Sequence, residues 1–361
     1  MAYILRETGT HADLAALDKA WSRNETFLFM PPKSPIEETD VLTLLDGLPT
    51  KMQVDHFILL TSGSTGRPKL VVGARSRAEA LARQLHIEQD SDDVENAIMA
   101  LPLSYCYSFV NQWLWARTHG RNVVYTNGLA DPTALRDALT TARSSMLCLV
   151  GSQLSLLTSG WGDEVFFNVH RLHFAGGRFP YQHFDVLAAR FPNARIYNNY
   201  GCAEAMPRLT LRLAESQSDS FNIGWPLDGI ELSIGEHGNL RFRSPFSAVA
   251  QETGSGFEVL DQLEWTDSGD LAECQPDGSY RLLGRSNEVF KRFGEKVSLS
   301  ALLETVRTAG WDPPAQFITK EDTQGEIGYV LVLEGSPKDT MIRQILKALR
   351  TLHPRALWPL V

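Results

Sequence analysis

Nine consecutive residues constrain this chain more than any other stretch: Thr61-Ser62-Gly63-Ser64-Thr65-Gly66-Arg67-Pro68-Lys69. The apolar run His56-Phe57-Ile58-Leu59-Leu60 leads straight into them, and Leu70-Val71-Val72 resumes strand character afterwards. Gly63 and Gly66 let the backbone turn tightly and expose its N–H groups. Thr61, Ser62, Ser64 and Thr65 add hydroxyl donors, and Lys69 adds a positive charge. Together they can cradle a polyphosphate. The helix-opening phosphate loop of nucleotide triphosphatases requires Gly-x4-Gly-Lys-Ser/Thr. Here Pro68 precedes the lysine and Leu70 follows it, so that pattern fails. Pro68 also disfavours helical geometry at Arg67, so the loop joins strand to strand. A plain Ser/Gly surface loop is the other reading, and the rest of the chain decides between them.

Residues 11–22 carry Leu14, Ala15, Leu17, Ala20 and Trp21 at helical spacing. Thr26–Met30 reads as a short buried strand closed by Pro31-Pro32. Ser76 to His86 predicts a helix with Ser76 as N-cap and Glu79 in capping-box position. Strands at Asn122–Tyr125 and Met146–Val150 alternate with helical segments near 132–143 and 181–191, which argues layered α/β structure with a largely parallel sheet. After about residue 222 the texture becomes short alternating strands at Glu231–Ile234, Leu240–Ser244, Leu271–Cys274 and Tyr280–Leu283. Turns such as Pro276-Asp277-Gly278 separate them, an antiparallel or barrel-like layer. From Val289 on, a strand, a helix at Leu299–Thr308, strands at Ala315–Thr319 and Ile327–Leu333 and a helix at Lys338–Leu349 predict a small α+β lobe. The expected organisation is a large lobe over 1–285 and a small lobe over 288–361.

A phosphate ligand would have to be gripped locally, because the chain carries a net charge of −9 at pH 7. An acidic chain is poorly suited to nucleic acid or an anionic membrane surface. Its 43% hydrophobic content suits a sizeable core. Cys106, Cys148, Cys202 and Cys274 are widely spaced and read as reduced thiols, consistent with a cytoplasmic location. The first residues show no signal-peptide pattern, and no run approaches the roughly twenty apolar residues of a membrane span.

The nine-residue loop resembles the phosphate-binding signature of the adenylate-forming (acyl-AMP ligase) superfamily, and further motifs of that family follow in order. Leu101-Pro102-Leu103-Ser104-Tyr105-Cys106 is similar to its acyl-pocket segment, with Tyr105 standing for a gating aromatic. Amino-acid-activating members carry Asp after that aromatic. Cys106 stands there in this chain, and a neutral group cannot offset a buried ammonium's desolvation. An aryl or fatty acid is therefore expected. Ala175-Gly176-Gly177-Arg178 resembles the turn lining the adenine site, with Gly177 and Arg178 as nucleotide contacts. In Tyr197-Asn198-Asn199-Tyr200-Gly201-Cys202-Ala203-Glu204 the resemblance implies that Tyr200 stacks on adenine, Asn199 faces it, Gly201 lines the site and Glu204 holds Mg²⁺. Ala203 replaces the family's Thr and removes one hydroxyl. Asp270, in Ser268-Gly269-Asp270, would accept the ribose hydroxyls. Arg285 would reach the ribose and phosphate, Asn287 stands at the hinge, and Lys291 to Gly294 would swing in for the thioester step.

The resemblance implies ATP and Mg²⁺ as cofactors, with Thr65, Lys69, Glu204 and Lys291 in catalytic roles. The expected reaction activates a carboxylic acid as acyl-AMP and transfers it to coenzyme A or to the phosphopantetheine of a carrier protein. Two departures stand out. Only sixty residues precede Thr61, fewer than family members place there, which predicts apolar surface covered by a partner or a self-interface. No Gly-Lys pair follows residue 300, where the family keeps a catalytic lysine, which predicts weak adenylation by the isolated chain. The alternative reading is a degenerate relative that binds nucleotide or acyl-adenylate as a partner within a biosynthetic complex.

Overall fold

The computed structural model describes residues 2–34, 36–61, 69–154, 157, 160–177, 179, 181–215, 219, 221–254, 256–285, 289–292, 295–321, 327–352 and 358. The chain divides into two compact units. One comprises 1–233, 241–268 and 275–280; the other comprises 234–240, 269–274 and 281–361.

In the first unit a six-stranded sheet is built from β1 (Tyr3–Arg6), β2 (Phe27–Met30), β3 (His56–Thr61), β4 (Lys69–Ala74), β14 (Ala250–Glu252) and β15 (Phe257–Val259), in that order. β1, β2 and β3 are parallel, and β3 pairs antiparallel with β4 from His56↔Ala74 to Thr61↔Lys69. The strand–loop–strand reading of the sequence thus becomes a hairpin whose two ends are held by backbone pairing. All four residues of β2 are buried, as a strand covered on both faces demands.

A second sheet in this unit has β10 (Thr210–Leu213), β9 (Arg195–Tyr200), β8 (Val169–Ala175), β7 (Ser145–Val150), β5 (Asn96–Met99) and β6 (Asn122–Tyr125) side by side. β9, β8, β7, β5 and β6 are all parallel, and β10 is antiparallel to β9. The largely parallel α/β architecture expected from the alternation is what the chain adopts. The later strands β12 (Glu231–Ile234), β13 (Asn239–Arg243), β16 (Thr266–Cys274) and β17 (Tyr280–Arg285), expected as an antiparallel or barrel-like layer, are neighbours in that order.

Between the two sheets lies an aromatic plug. Trp21, at the end of helix α1 (Ala12–Trp21), meets Phe57 at 5.3 Å, Phe109 at 5.8 Å and Trp113 at 5.4 Å. Phe57 stacks on Phe109 at 5.0 Å. Gly73 on β4 is required here, since a Cβ would lie 2.4 Å from the Phe57 ring. Removing one such ring would cost about 3–5 kcal/mol. Phe109–Leu114 is a π-helical run, buried throughout, between the helical turns Cys106–Ser108 and Trp115–Thr118.

Helix α3 spans Arg75–Glu88, beginning after Ala74 with no side-chain cap. The expected Ser76 cap and Glu79 capping box do not form, because the Glu79 carboxylate accepts the Trp21 indole N–H at 2.9 Å. In the second unit, helices Leu299–Thr308 and Asp339–Leu352 and the antiparallel pair β20 (Ala315–Glu321) and β21 (Ile327–Leu333) bury Leu302, Val306, Trp311, Tyr329, Ile345 and Leu349. No helix among the described residues is long and apolar enough to cross a membrane.

Candidate active site

In a parallel α/β sheet, ligands bind beyond the carboxyl ends of the strands. Here those ends are Val150 on β7, Ala175 on β8 and Tyr200 on β9. β9 delivers Tyr197, Asn198, Asn199 and Tyr200, and the chain then turns back sharply as β10, pairing Thr210 with Tyr200. Gly201 makes this return possible. A Cβ there would lie 1.9 Å from the Pro207 carbonyl oxygen and 2.9 Å from the Arg208 Cα. The short 3-10 turn Ala203–Ala205 carries Glu204, half-buried.

The Glu204 turn is tied to the first sheet. The Ala248 N–H donates to the Glu204 carbonyl at 2.8 Å, and the Val249 N–H donates to Val72 of β4 at 2.8 Å. A single connecting stretch therefore joins the hairpin that bears Lys69 to the turn that bears Glu204. At the tips of β3 and β4 the Thr61 hydroxyl donates to the Lys69 carbonyl at 3.4 Å. Ser62, Gly63, Ser64, Thr65 and Gly66, between them, lie outside the described residues, as do Arg178, Asn287 and the side chain of Lys291.

Tyr105 and Cys106 arrive from a loop that sequence reasoning did not explain. Its anchor is Glu7, 2% exposed, directly after β1. One Glu7 oxygen accepts the Leu103 N–H at 2.8 Å. The other accepts the Ser104 N–H at 3.1 Å and the Ser104 hydroxyl at 2.5 Å. A carboxylate so satisfied fixes the backbone entering Tyr105. The Tyr105 side chain reaches the end of β8. A Cβ built on Gly176, whose φ is +73°, would lie 3.3 Å from the Tyr105 hydroxyl and 3.3 Å from Val150. The conformational demand thus falls on Gly176, while Gly177 is exposed with open space around it.

Cys106 is buried. Burial, and after it the Glu204 carboxylate, push its thiol far above the ordinary range, so it is neutral and within electrostatic reach of Glu204. Behind it lies a polar cluster. Tyr107, Cys148, His173, Asn199 and Arg208 are all buried. The Asn199 amide donates to the Tyr107 hydroxyl at 2.8 Å and accepts from Arg208. Asn199 therefore points into the core. His173 stacks on Tyr197 at 5.0 Å. Nothing local in the sequence marks Glu7. Arg208 lies four positions after Glu204 and just before β10, and nothing local in the sequence sets it apart from Arg212 within that strand.

In the second unit, the two residues expected to bind ribose and phosphate meet each other. Arg285 Nε lies 3.0 Å from a carboxylate oxygen of Asp270, which is 7% exposed. Gly269, with φ +76°, brings the Arg285 guanidinium close.

Mg²⁺ bound with a nucleotide takes one or two carboxylates and relies otherwise on phosphate oxygens and water. Glu204, a half-buried carboxylate, is a ligand of the kind this habit calls for.

Comparison with known proteins agrees with this geometry. The chain is 24% identical to a D-alanine–D-alanyl carrier protein ligase of Staphylococcus aureus (strain bovine RF122 / ET3-1) over 264 residues, covering 70% of this chain and 54% of that protein. It thus spans about half the length of the curated relatives it matches. Among solved structures, it resembles the unliganded O-succinylbenzoate coenzyme A synthetase of Bacillus subtilis with TM-score 0.82 and 14% identity, over 99% of this chain and 86% of that one. It also resembles an anthranilate CoA ligase in complex with anthranoyl-AMP, with TM-score 0.72 and 15% identity, over 99% and 73%. At such identities these likenesses show the fold. The model of the AMP-binding enzymes matches residues 8–245, well over half of the chain. On that match, this chain belongs to the AMP-binding enzyme family.

Proposed function

We propose that this protein activates a carboxylic acid with ATP as an acyl-adenylate and passes the acyl group to a thiol, on a carrier protein or on coenzyme A. The observation that carries the reading is the convergence of Tyr105, Gly176, Cys106 and Glu204 at the carboxyl ends of β7, β8 and β9. An acid held there lies beside a carboxylate suited to a phosphate-bound cation. In this reading Lys69 and the loop before it grip the phosphates, and Glu204 would hold Mg²⁺, which would supply positive charge to the phosphates. Tyr200, at the end of β9, offers a ring to the adenine. The S. aureus ligase is named for D-alanine, but Cys106 gives an ammonium no counter-charge at this position. Aryl and fatty acids remain the favoured class.

ATP–pyrophosphate exchange with a panel of aryl, fatty and amino acids tests this. Exchange with non-amino acids, lost in Glu204→Gln, is the expected result. Retained AMP binding with no exchange for any acid would instead support a non-catalytic nucleotide-binding partner.

A further inference from the structure

We propose that Arg208 receives the far end of the acid and that this end bears a second carboxylate, so that the preferred substrates are dicarboxylic acids. The inference rests on the ligase reading above and names its substrate class.

Arg208 is 1% exposed, and its guanidinium lies over the Tyr107 ring at 5.6 Å. Nη1 donates to the Asn199 side-chain oxygen Oδ1. Nε and Nη2 have no hydrogen-bond partner, and Arg208 has no ion pair, among the described residues. Arg171, comparably buried at 5%, shows how this chain satisfies a structural arginine. Its Nε donates to Gln89, its Nη1 to His170, and its Nη2 to Asp90 and the Asp93 carboxylate. Arg208 lacks any such set.

A guanidinium stays charged even when buried, and an unpaired buried charge is strongly disfavoured. Among the described residues the surroundings supply no anion. Burial pushes the Tyr107 hydroxyl and the Cys148 thiol up, so both are neutral, and burial pushes the His173 imidazole down to its neutral form. The vacant donors are also of a particular kind. Nε and Nη2 form one edge of the planar fork and present two parallel N–H groups, the geometry that matches both oxygens of a carboxylate. His173 is a neutral, buried neighbour of this cluster and shares the Asn199 amide with it.

The cluster is continuous with the site. Tyr107 follows Cys106, its ring 6.4 Å from that of Tyr105. The Gly201 backbone abuts Arg208 on one side of the turn that carries Glu204. A diacid could thus have one carboxyl beside Glu204 for adenylation and the other in the Arg208 fork.

The test is exchange with matched pairs: terephthalic against 4-methylbenzoic acid, adipic against hexanoic, sebacic against decanoic. The wild-type protein should favour the diacid in kcat/KM by about 100-fold. Arg208→Met should erase that preference, lowering the diacid value about 100-fold and the monoacid value by less than about threefold. Its urea midpoint should hold or rise, because an unpaired charge has been removed. Arg208→Glu should shift preference toward acids with a distal ammonium. Equal use of both members of each pair by the wild type, or an equal loss of both in Arg208→Met, would overturn the inference and leave the ligase reading standing. Absence of exchange with every acid, mono or di, would remove the ligase reading and this one with it.

Discussion

Replacing Glu7 with Gln tests whether the loop leading to Tyr105 is held from the end of β1. Three donors converge on this buried carboxylate: the Leu103 N–H, the Ser104 N–H and the Ser104 hydroxyl. Gln keeps the shape but has one acceptor oxygen. If that oxygen serves the Ser104 pair, the amide NH₂ faces the Leu103 N–H and donor meets donor. The remaining bonds also lose their charge assistance. A hydrogen bond to a charged group contributes about 1.5–3 kcal/mol, so Glu7→Gln should destabilise the first unit by about 2–3 kcal/mol. Glu7→Ala, which strands all three donors, should reach about 3–5 kcal/mol. In urea titrations followed by tryptophan fluorescence, Trp21 and Trp113 lie in the adjoining core and report the transition. The melting temperature of Glu7→Gln should fall by about 5 °C. In the exchange assay the KM for the acid should rise, because Tyr105 follows the anchored segment directly. A Gln variant within about 0.5 kcal/mol of wild type would refute the reasoning, since a buried donor facing a donor cannot be silent.

Two further outcomes follow from particular contacts. Gly201→Ala places a Cβ 1.9 Å from the Pro207 carbonyl oxygen, so backbone must move. A loss of about 3 kcal/mol or more and the collapse of exchange are expected, and an unchanged urea midpoint would contradict the structure. Burial acts to raise the Asp93 pKa, but the His170 hydrogen bond and the Arg171 charge outweigh it, and the net pKa is lowered. A carboxyl whose folded pKa is depressed adds stability above its unfolded value, about 3.9, and loses it as pH falls through the folded value. Asp93→Asn should therefore melt below wild type at neutral pH and converge with it on acidification below about pH 4, a gap that thermal scans across pH would follow.

The architecture was legible because it is written in local periodicity. His56–Leu60 and Leu70–Val72 bracket the glycine-rich loop, and both became strands at nearly those limits. The strand–helix alternation that followed gave the parallel sheet. What failed depended on partners far away in sequence. Ser76 has the chemistry of a helix cap, but the helix begins one residue earlier, and Glu79 is drawn to Trp21, 58 residues away. Glu7 acts on Leu103 and Ser104 across nearly a hundred positions, which no local pattern encodes. Gly176 and Gly177 look alike in the sequence. Only the positive φ and the Tyr105 hydroxyl single out the first.

The seam between Val72 and residues 249–250 bears on how the protein is made. β4 finds its second neighbour only at Ala250↔Val72 and Gln251↔Val71. On a ribosome, β3 and β4 can close their hairpin early, yet the outer edge of β4 then waits for roughly 180 more residues, some ten to forty seconds of synthesis. Throughout that interval Leu70-Val71-Val72 offers an apolar strand edge to any passing chain. The seam that joins the β3–β4 hairpin to the Glu204 turn in the finished molecule is thus among the last to form. Nascent chains released before it closes would be those most in need of a chaperone.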